Sequence, residues 1–124
     1  MPTTENILLV EDDPDQAMLF SQVLSLSGYK VSITTSAEEA QQRMDEPSFA
    51  LLLVDWDLPD GMNGDALIRW TKALFPGIKT ILISNHPLVD DIAAACGADA
   101  AFRKMESIAS LRQLVMSLAP ITKL

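Results

Sequence analysis

The chain alternates short apolar runs with longer segments of helical spacing. The runs are Ile7–Val10, Lys30–Thr34, Ala50–Val54, Thr80–Ile83 and Ala100–Phe102. They are rich in Ile, Leu and Val, the pattern of strands buried on both faces. Pro14–Leu26 has proline near its first turn, Asp12 or Asp13 as a cap, and Gly28 at its end. Ser36–Met44 opens with the capping-box pattern Ser36-Ala37-Glu38-Glu39. Asn63–Leu74 ends before Pro76-Gly77, Leu88–Cys96 ends at Gly97, and Glu106–Leu118 ends before Pro120. Strict strand–helix alternation with short loops predicts an α/β fold, a parallel sheet wound on both faces by helices. Right-handed crossovers then leave few topologies.

The residues that end the runs carry the chemistry. Ile7–Val10 runs into Glu11, Asp12 and Asp13; Ala50–Val54 into Asp55; Thr80–Ile83 into Ser84; Ala100–Phe102 through Arg103 into Lys104. In a parallel sheet these ends share one edge, where open α/β sheets bind ligands. Glu11, Asp12 and Asp55 then lie close together. Two like charges about 4 Å apart cost roughly 4 kcal/mol at an effective dielectric of ~20. A hard divalent cation offsets that cost, and Mg²⁺ is the expected ion, with Mn²⁺ as a substitute. Asp13 is expected to cap the following helix. Asp55 has no such role, because the next helix starts several residues later. Asp57 either meets metal-bound water or faces solvent. Ser84 and Lys104 add a hydroxyl and an ammonium suited to phosphoryl oxygens.

Composition narrows the classes further. With 124 residues, 48% of them hydrophobic, the chain is read as one domain over 1–124, its core spanning about 5–119 and 120–124 forming a tail or linker. A formal charge of −8 disfavours direct contact with nucleic acid or anionic membrane. The single cysteine, Cys96, excludes an internal disulfide and is expected to act as a small buried hydrophobe. The first six residues lack the basic and apolar regions of a signal peptide, and no apolar stretch is long enough to span a membrane. The expected compartment is the cytoplasm.

Four segments in order resemble the receiver domains of bacterial two-component response regulators. They are Ile7-Leu8-Leu9-Val10-Glu11-Asp12-Asp13-Pro14; Leu53-Val54-Asp55-Trp56-Asp57-Leu58-Pro59-Asp60-Gly61-Met62-Asn63-Gly64; Ile81-Leu82-Ile83-Ser84; and Gly97-Ala98-Asp99-Ala100-Ala101-Phe102-Arg103-Lys104. The resemblance implies the flavodoxin-like (βα)5 fold with strand order 2-1-3-4-5. It implies that Asp55 is the phosphoacceptor, that Asp12 binds the metal directly, and that Glu11 helps to hold it. The Asp57 backbone carbonyl would be a further metal ligand. Ser84 and Lys104 would grip the phosphoryl group, and Asp57, Asn85 and His86 would modulate access to it. The implied partners are a histidine kinase or histidine phosphotransfer protein and a downstream effector, with a phosphorylation-dependent homodimer as one form of output. The activity implied is self-phosphorylation and slow autodephosphorylation within a signalling domain rather than an enzyme.

The chain departs from the family pattern at several positions. Ala101 stands where an aromatic side chain usually switches rotamer on activation, and strand alternation turns its neighbour Phe102 to the opposite face. Met105 replaces the usual proline, and Asn85 and His86 follow Ser84 where the next residue is often very small. These departures predict an intact phosphorylation apparatus with an unusual readout. Two other functions fit parts of the pattern. Asp55-Trp56-Asp57 resembles the two-aspartate motif of haloacid dehalogenase-like phosphohydrolases, although that motif usually lies near an N-terminus. A non-phosphorylated receiver-like scaffold is the other.

Overall fold

The computed structural model describes residues 6–44, 49–59 and 61–121. Residues 1–5, Asp60 of the second motif, and residues 122–124 of the expected tail lie outside the described residues, as do residues 45–48.

The element order is β1 (Asn6–Val10), α1 (Pro14–Leu26), β2 (Lys30–Thr34), α2 (Ala37–Arg43), β3 (Leu51–Asp55), α3 (Gly64–Leu74), β4 (Lys79–Ser84), α4 (Val89–Cys96), β5 (Ala100–Arg103) and α5 (Ile108–Leu118). The five strands are all parallel, in the order β2-β1-β3-β4-β5. Successive side chains of a strand point to opposite faces, so the sheet divides its apolar residues between two layers. Leu8, Val10, Leu52, Val54, Leu82 and Ala101 pack toward α2, α3 and α4. Ile7, Leu9, Leu51, Leu53, Ile81, Ile83 and Phe102 pack toward α1 and α5. Phe102 meets Phe20 edge-on with ring centroids 6.4 Å apart, while Ala101 faces the other layer, as alternation requires.

Caps set the helix boundaries. Asp13 caps α1, accepting from the Asp15 amide at 3.0 Å, so Asp12 remains free for other work. Ser36 caps α2 by accepting from the Glu39 amide, and the Glu39 carboxylate reaches back to the Thr35 amide. The helix expected over Glu106–Leu118 starts two residues later, at Ile108 behind the cap Ser107. Glu106 instead closes a turn: its amide donates to the Arg103 carbonyl and its carboxylate accepts from the Arg103 amide. β2 also departs from the expectation of burial on both faces. It is an edge strand with Lys30 and Ile33 exposed.

Beyond α5 the chain is still packed. Tyr29 Oη donates to the buried Ala119 carbonyl at 2.7 Å, and Ile121 packs into the α1–α5 layer. At the opposite edge from the strand C-termini, Asp99 accepts from the Thr80 amide at 2.8 Å and pairs with Lys72 Nζ at 2.6 Å. Burial alone would raise the Asp99 pKa. The Lys72 and Thr80 hydrogen bonds and the nearby lysine charges outweigh it and hold the carboxyl below its usual value. Among the described residues, no helix is long and apolar enough to cross a membrane.

Candidate functional site

The predicted residues converge where β1, β3, β4 and β5 end. Glu11 follows β1 and is buried, Asp55 closes β3 at 4% exposure, and Asp12 lies on the rim. Ligand oxygens of these three carboxylates all lie within 4.8 Å of one another. Lys104, just past β5, points its ammonium into the group. Its Nζ donates to Asp55 Oδ2 at 2.8 Å and sits 3.4 Å from Glu11 Oε1. Asp55 Oδ1 accepts from the Asp57 amide at 3.1 Å, so both acceptor-candidate oxygens are oriented. The Asp57 side chain is exposed.

The electrostatics show one cation facing too many acids. Burial, then the hydrogen bond with Asp55 and its charge, push the Glu11 pKa up to about 8, and Lys104 only partly opposes them. Lys104 is pulled the other way: burial disfavours its charge, but Asp55 and Glu11 more than compensate and raise its pKa. Glu11 Oε2 accepts from the Asp13 amide at 3.3 Å. Glu11 Oε1 is buried and, apart from its 3.4 Å ion-pair contact with Lys104, has no hydrogen-bond partner among the described residues. A buried carboxylate oxygen without a hydrogen bond, within reach of two further carboxylates, fits a hard divalent cation. The acidic cluster can therefore bind a metal ion.

Ser84 ends β4 and is buried. Its Oγ accepts from the His86 amide at 2.9 Å, and His86 Nδ1 accepts from the Leu88 amide at 3.0 Å. Two successive side-chain turns thus steer the β4–α4 loop, with Asn85 exposed beside Ser84 and His86 half-buried. The His86 ring rests edge-on against Trp56, centroids 5.2 Å apart.

Sequence reasoning missed three supports of this site. The Trp56 indole Nε1 donates to Asp65 Oδ1 in the first turn of α3 at 3.2 Å, and its amide donates to the Ile83 carbonyl. Gly64 opens α3 directly against Asp55. A Cβ there would collide with the Asp55 carbonyl and lie 2.9 Å from Trp56 Cα. Arg103 reaches across to the β4–α4 loop, donating from Nη2 to the Pro87 carbonyl at 3.1 Å and to Asp90 at 3.2 Å. Gly64 was visible inside the second motif. Nothing in the sequence pairs Arg103 with Asp90.

A five-stranded sheet in this order, with acids, a hydroxyl and a lysine gathered at its C-terminal edge, is the architecture of a signalling receiver. The chain belongs to the response regulator receiver domain family, whose model matches residues 7–116. It is 34% identical over 86 residues to the C4-dicarboxylate transport transcriptional regulatory protein DctD of Rhizobium meliloti (strain 1021), covering 69% of this chain but only 18% of that protein. It is 33% identical over 85 residues to the response regulator receiver protein CpdR of Brucella abortus (strain 2308), covering 68% of this chain and 70% of that one. Among solved structures, a CheY-like receiver domain protein of Methanospirillum hungatei JF-1 superposes with a TM-score of 0.83 at 30% identity, covering 91% of each chain. The receiver domain of a histidine kinase of Syntrophus aciditrophicus gives 0.83 at 29% identity, covering 93% of this chain and 89% of that one. The family, the fold and the convergence of site residues favour a receiver over a phosphohydrolase.

Proposed function

We propose that the domain takes a phosphoryl group onto Asp55 from a histidine kinase or histidine phosphotransfer protein and loses it slowly by hydrolysis. A carboxylate oxygen of Asp55 attacks phosphorus while the bond to the donor's imidazole nitrogen breaks, leaving a neutral donor histidine after protonation. Mg²⁺, or Mn²⁺ in its place, held by Glu11, Asp12, Asp55 and the Asp57 backbone carbonyl, would neutralise charge on the transferred group. Lys104 then passes from Asp55 Oδ2 to a phosphoryl oxygen, and the Ser84 hydroxyl donates to another. Asn85, His86 and the Asp57 side chain border the approach and govern how easily water reaches phosphorus.

The observation that carries this reading is the Lys104 ammonium between Asp55 and Glu11, 2.8 Å from Asp55 Oδ2 and 3.4 Å from a buried Glu11 oxygen that has no hydrogen bond among the described residues. The three carboxylates there could hold a cation, and Lys104 supplies the group that would hold a phosphoryl oxygen. The output is a changed surface read by an effector, in the same chain or another, or by a second copy of this domain. The match spans 18% of DctD, a transcriptional regulatory protein, which supports an effector outside these residues. A cytoplasmic site of action follows from such partners.

The test is labelling with acetyl phosphate or phosphoramidate in Mg²⁺, read by intact mass. One phosphoryl group should add to the wild type and none to Asp55→Asn. The same adduct on Asp55→Asn overturns the assignment. Sustained turnover of a generic phosphate ester would instead favour the phosphohydrolase.

A further inference from the structure

We propose that Arg103 is a positioning residue for the β4–α4 loop, holding it closed in the unphosphorylated domain and releasing it when Ser84 turns toward a phosphoryl group. The release step rests on the phosphoacceptor reading above; the hold does not.

Arg103 and Ser84 are register partners on adjacent strands, so their side chains leave the sheet on the same face. That is the α4 face, since Leu82 and Ala101, two residues before each, pack there. From this position one guanidinium nitrogen bridges the Pro87 carbonyl and the Asp90 carboxylate. Pro87 lies in the loop and Asp90 in the first turn of α4, so a single side chain of β5 spans the start of the helix. The arginine itself is fixed at its backbone, where its amide and carbonyl close a turn with Glu106.

The inner end of the same loop depends on Ser84. The His86 amide donates to Ser84 Oγ, and the Leu88 amide to His86 Nδ1. A Ser84 hydroxyl recruited by a phosphoryl group moves away from the His86 amide, and the chain of turns that sets the Pro87 carbonyl loses its first member. The Arg103 bridge, anchored on that carbonyl, loses its geometry with it. An aromatic side chain at position 101 would report the Ser84 movement through β5, but Ala101 has no ring to turn. Arg103 provides another route from β4 to β5 that ends on the surface: its side chain is 41% exposed, and that of Asp90 73%. Release bares one cation and one anion beside α4, a change that a partner can read.

The experiment measures amide exchange of His86, Leu88 and Val89 by NMR in wild type, Arg103→Ala, Asp90→Ala and the double variant. An exposed pair contributes little to global stability, so all four should unfold at similar denaturant concentrations. Each single variant should exchange at these amides about threefold faster than wild type. The double variant should exchange no faster than Arg103→Ala, which by itself removes both the Pro87 and the Asp90 contacts. Arg103→Lys keeps a cation with three donors and should restore most of the protection. Unchanged exchange in Arg103→Ala, or multiplying effects in the double variant, overturns the hold.

At Val89, beryllofluoride with Mg²⁺ should raise exchange in the wild type to the level of Arg103→Ala and leave that variant unchanged, whereas the His86 amide, released by Ser84 itself, should respond in both. A full wild-type response at Val89 in Arg103→Ala overturns the release step. If acetyl phosphate does not label the wild type, the phosphoacceptor reading and the release step both fall, while the comparison of uncomplexed variants still decides the hold.

Discussion

Lys104 Nζ and Asp55 Oδ2, 49 residues apart in sequence, lie 2.8 Å apart in a site that is nearly closed to solvent. Removing the lysine leaves two buried carboxylates facing each other. A broken buried pair costs 3–5 kcal/mol in general, and proton uptake by Glu11 relieves part of it. Lys104→Ala should therefore lose about 2 kcal/mol of stability without metal and regain most of it in Mg²⁺, as read by urea unfolding. A loss that Mg²⁺ does not restore would show that lysine and metal do not share this charge. The variant should still take up phosphoryl, with a smaller change in shape.

Mg²⁺ binding should release protons near neutral pH. Burial, then the neighbouring Asp55, push the Glu11 pKa from the ordinary 4.5 up to about 8. A raised carboxyl pKa favours folding fully below pH 4.5, and that contribution disappears as pH rises through 8. The metal needs the charged form, so its affinity should strengthen from pH 6 to 8. Calorimetry at pH 7 in buffers of different ionisation enthalpy should detect about one proton released per Mg²⁺, and no release in Glu11→Gln. At free Mg²⁺ of 100 times the dissociation constant the fold gains ~2.7 kcal/mol.

Gly64→Ala should damage the site from behind. The added methyl meets the Asp55 carbonyl and Trp56 Cα, which overpacks by about 1–3 kcal/mol. Labelling by acetyl phosphate should slow more than the lost stability accounts for, because the displaced atoms belong to the backbone of Asp55, the proposed acceptor. A variant labelled at the wild-type rate would show that α3 yields instead of β3.

Asn85→Ala should shorten the lifetime of the phosphorylated form. Asn85 is exposed beside Ser84, and on the proposed function its side chain would narrow the path of an in-line water. The check is loss of the mass adduct with time after the donor is removed. An unchanged or longer lifetime would place the barrier elsewhere.

At the opposite edge, Asp99→Ala should cost about 1–3 kcal/mol, because it strands the buried Thr80 amide. The Asp99 pKa is lowered by Lys72 and Thr80. Its contribution is present above the ordinary value of 3.8 and is lost as pH falls below that value. The variant should therefore show a flatter decline in stability on the acid side, with Lys104 and Glu11 behaving as before.

The alternation of apolar runs and helical spacing was enough to fix the strand count, their parallel direction and the placing of Glu11, Asp12, Asp55, Ser84 and Lys104 on one edge. Such periodicity reports which face each residue takes, and a shared sheet edge follows from it. Helix starts were less legible. Glu106 looks like a first-turn acid, yet it serves the Arg103 turn, because Ser107 offers the better cap. Edge position was invisible too: Val31 and Ile33 read as buried, but β2 has a neighbour on one side alone. The Trp56–His86 and Arg103–Asp90 contacts depend on how loops return across the sheet edge, which no local spacing encodes.

The division of the core by the sheet has a consequence for how this chain can vary. Leu24 and Val115 lie on one side, Leu67 and Val89 on the other, and only strand backbone separates the two groups. Costs of substitutions on opposite sides should sum to within about 0.5 kcal/mol, whereas neighbours on the same side should couple. A lineage can therefore remodel the surface carried by α1 and α5 without disturbing the one carried by α2, α3 and α4, so the two surfaces can acquire new partners independently while the strand ends between them stay in place.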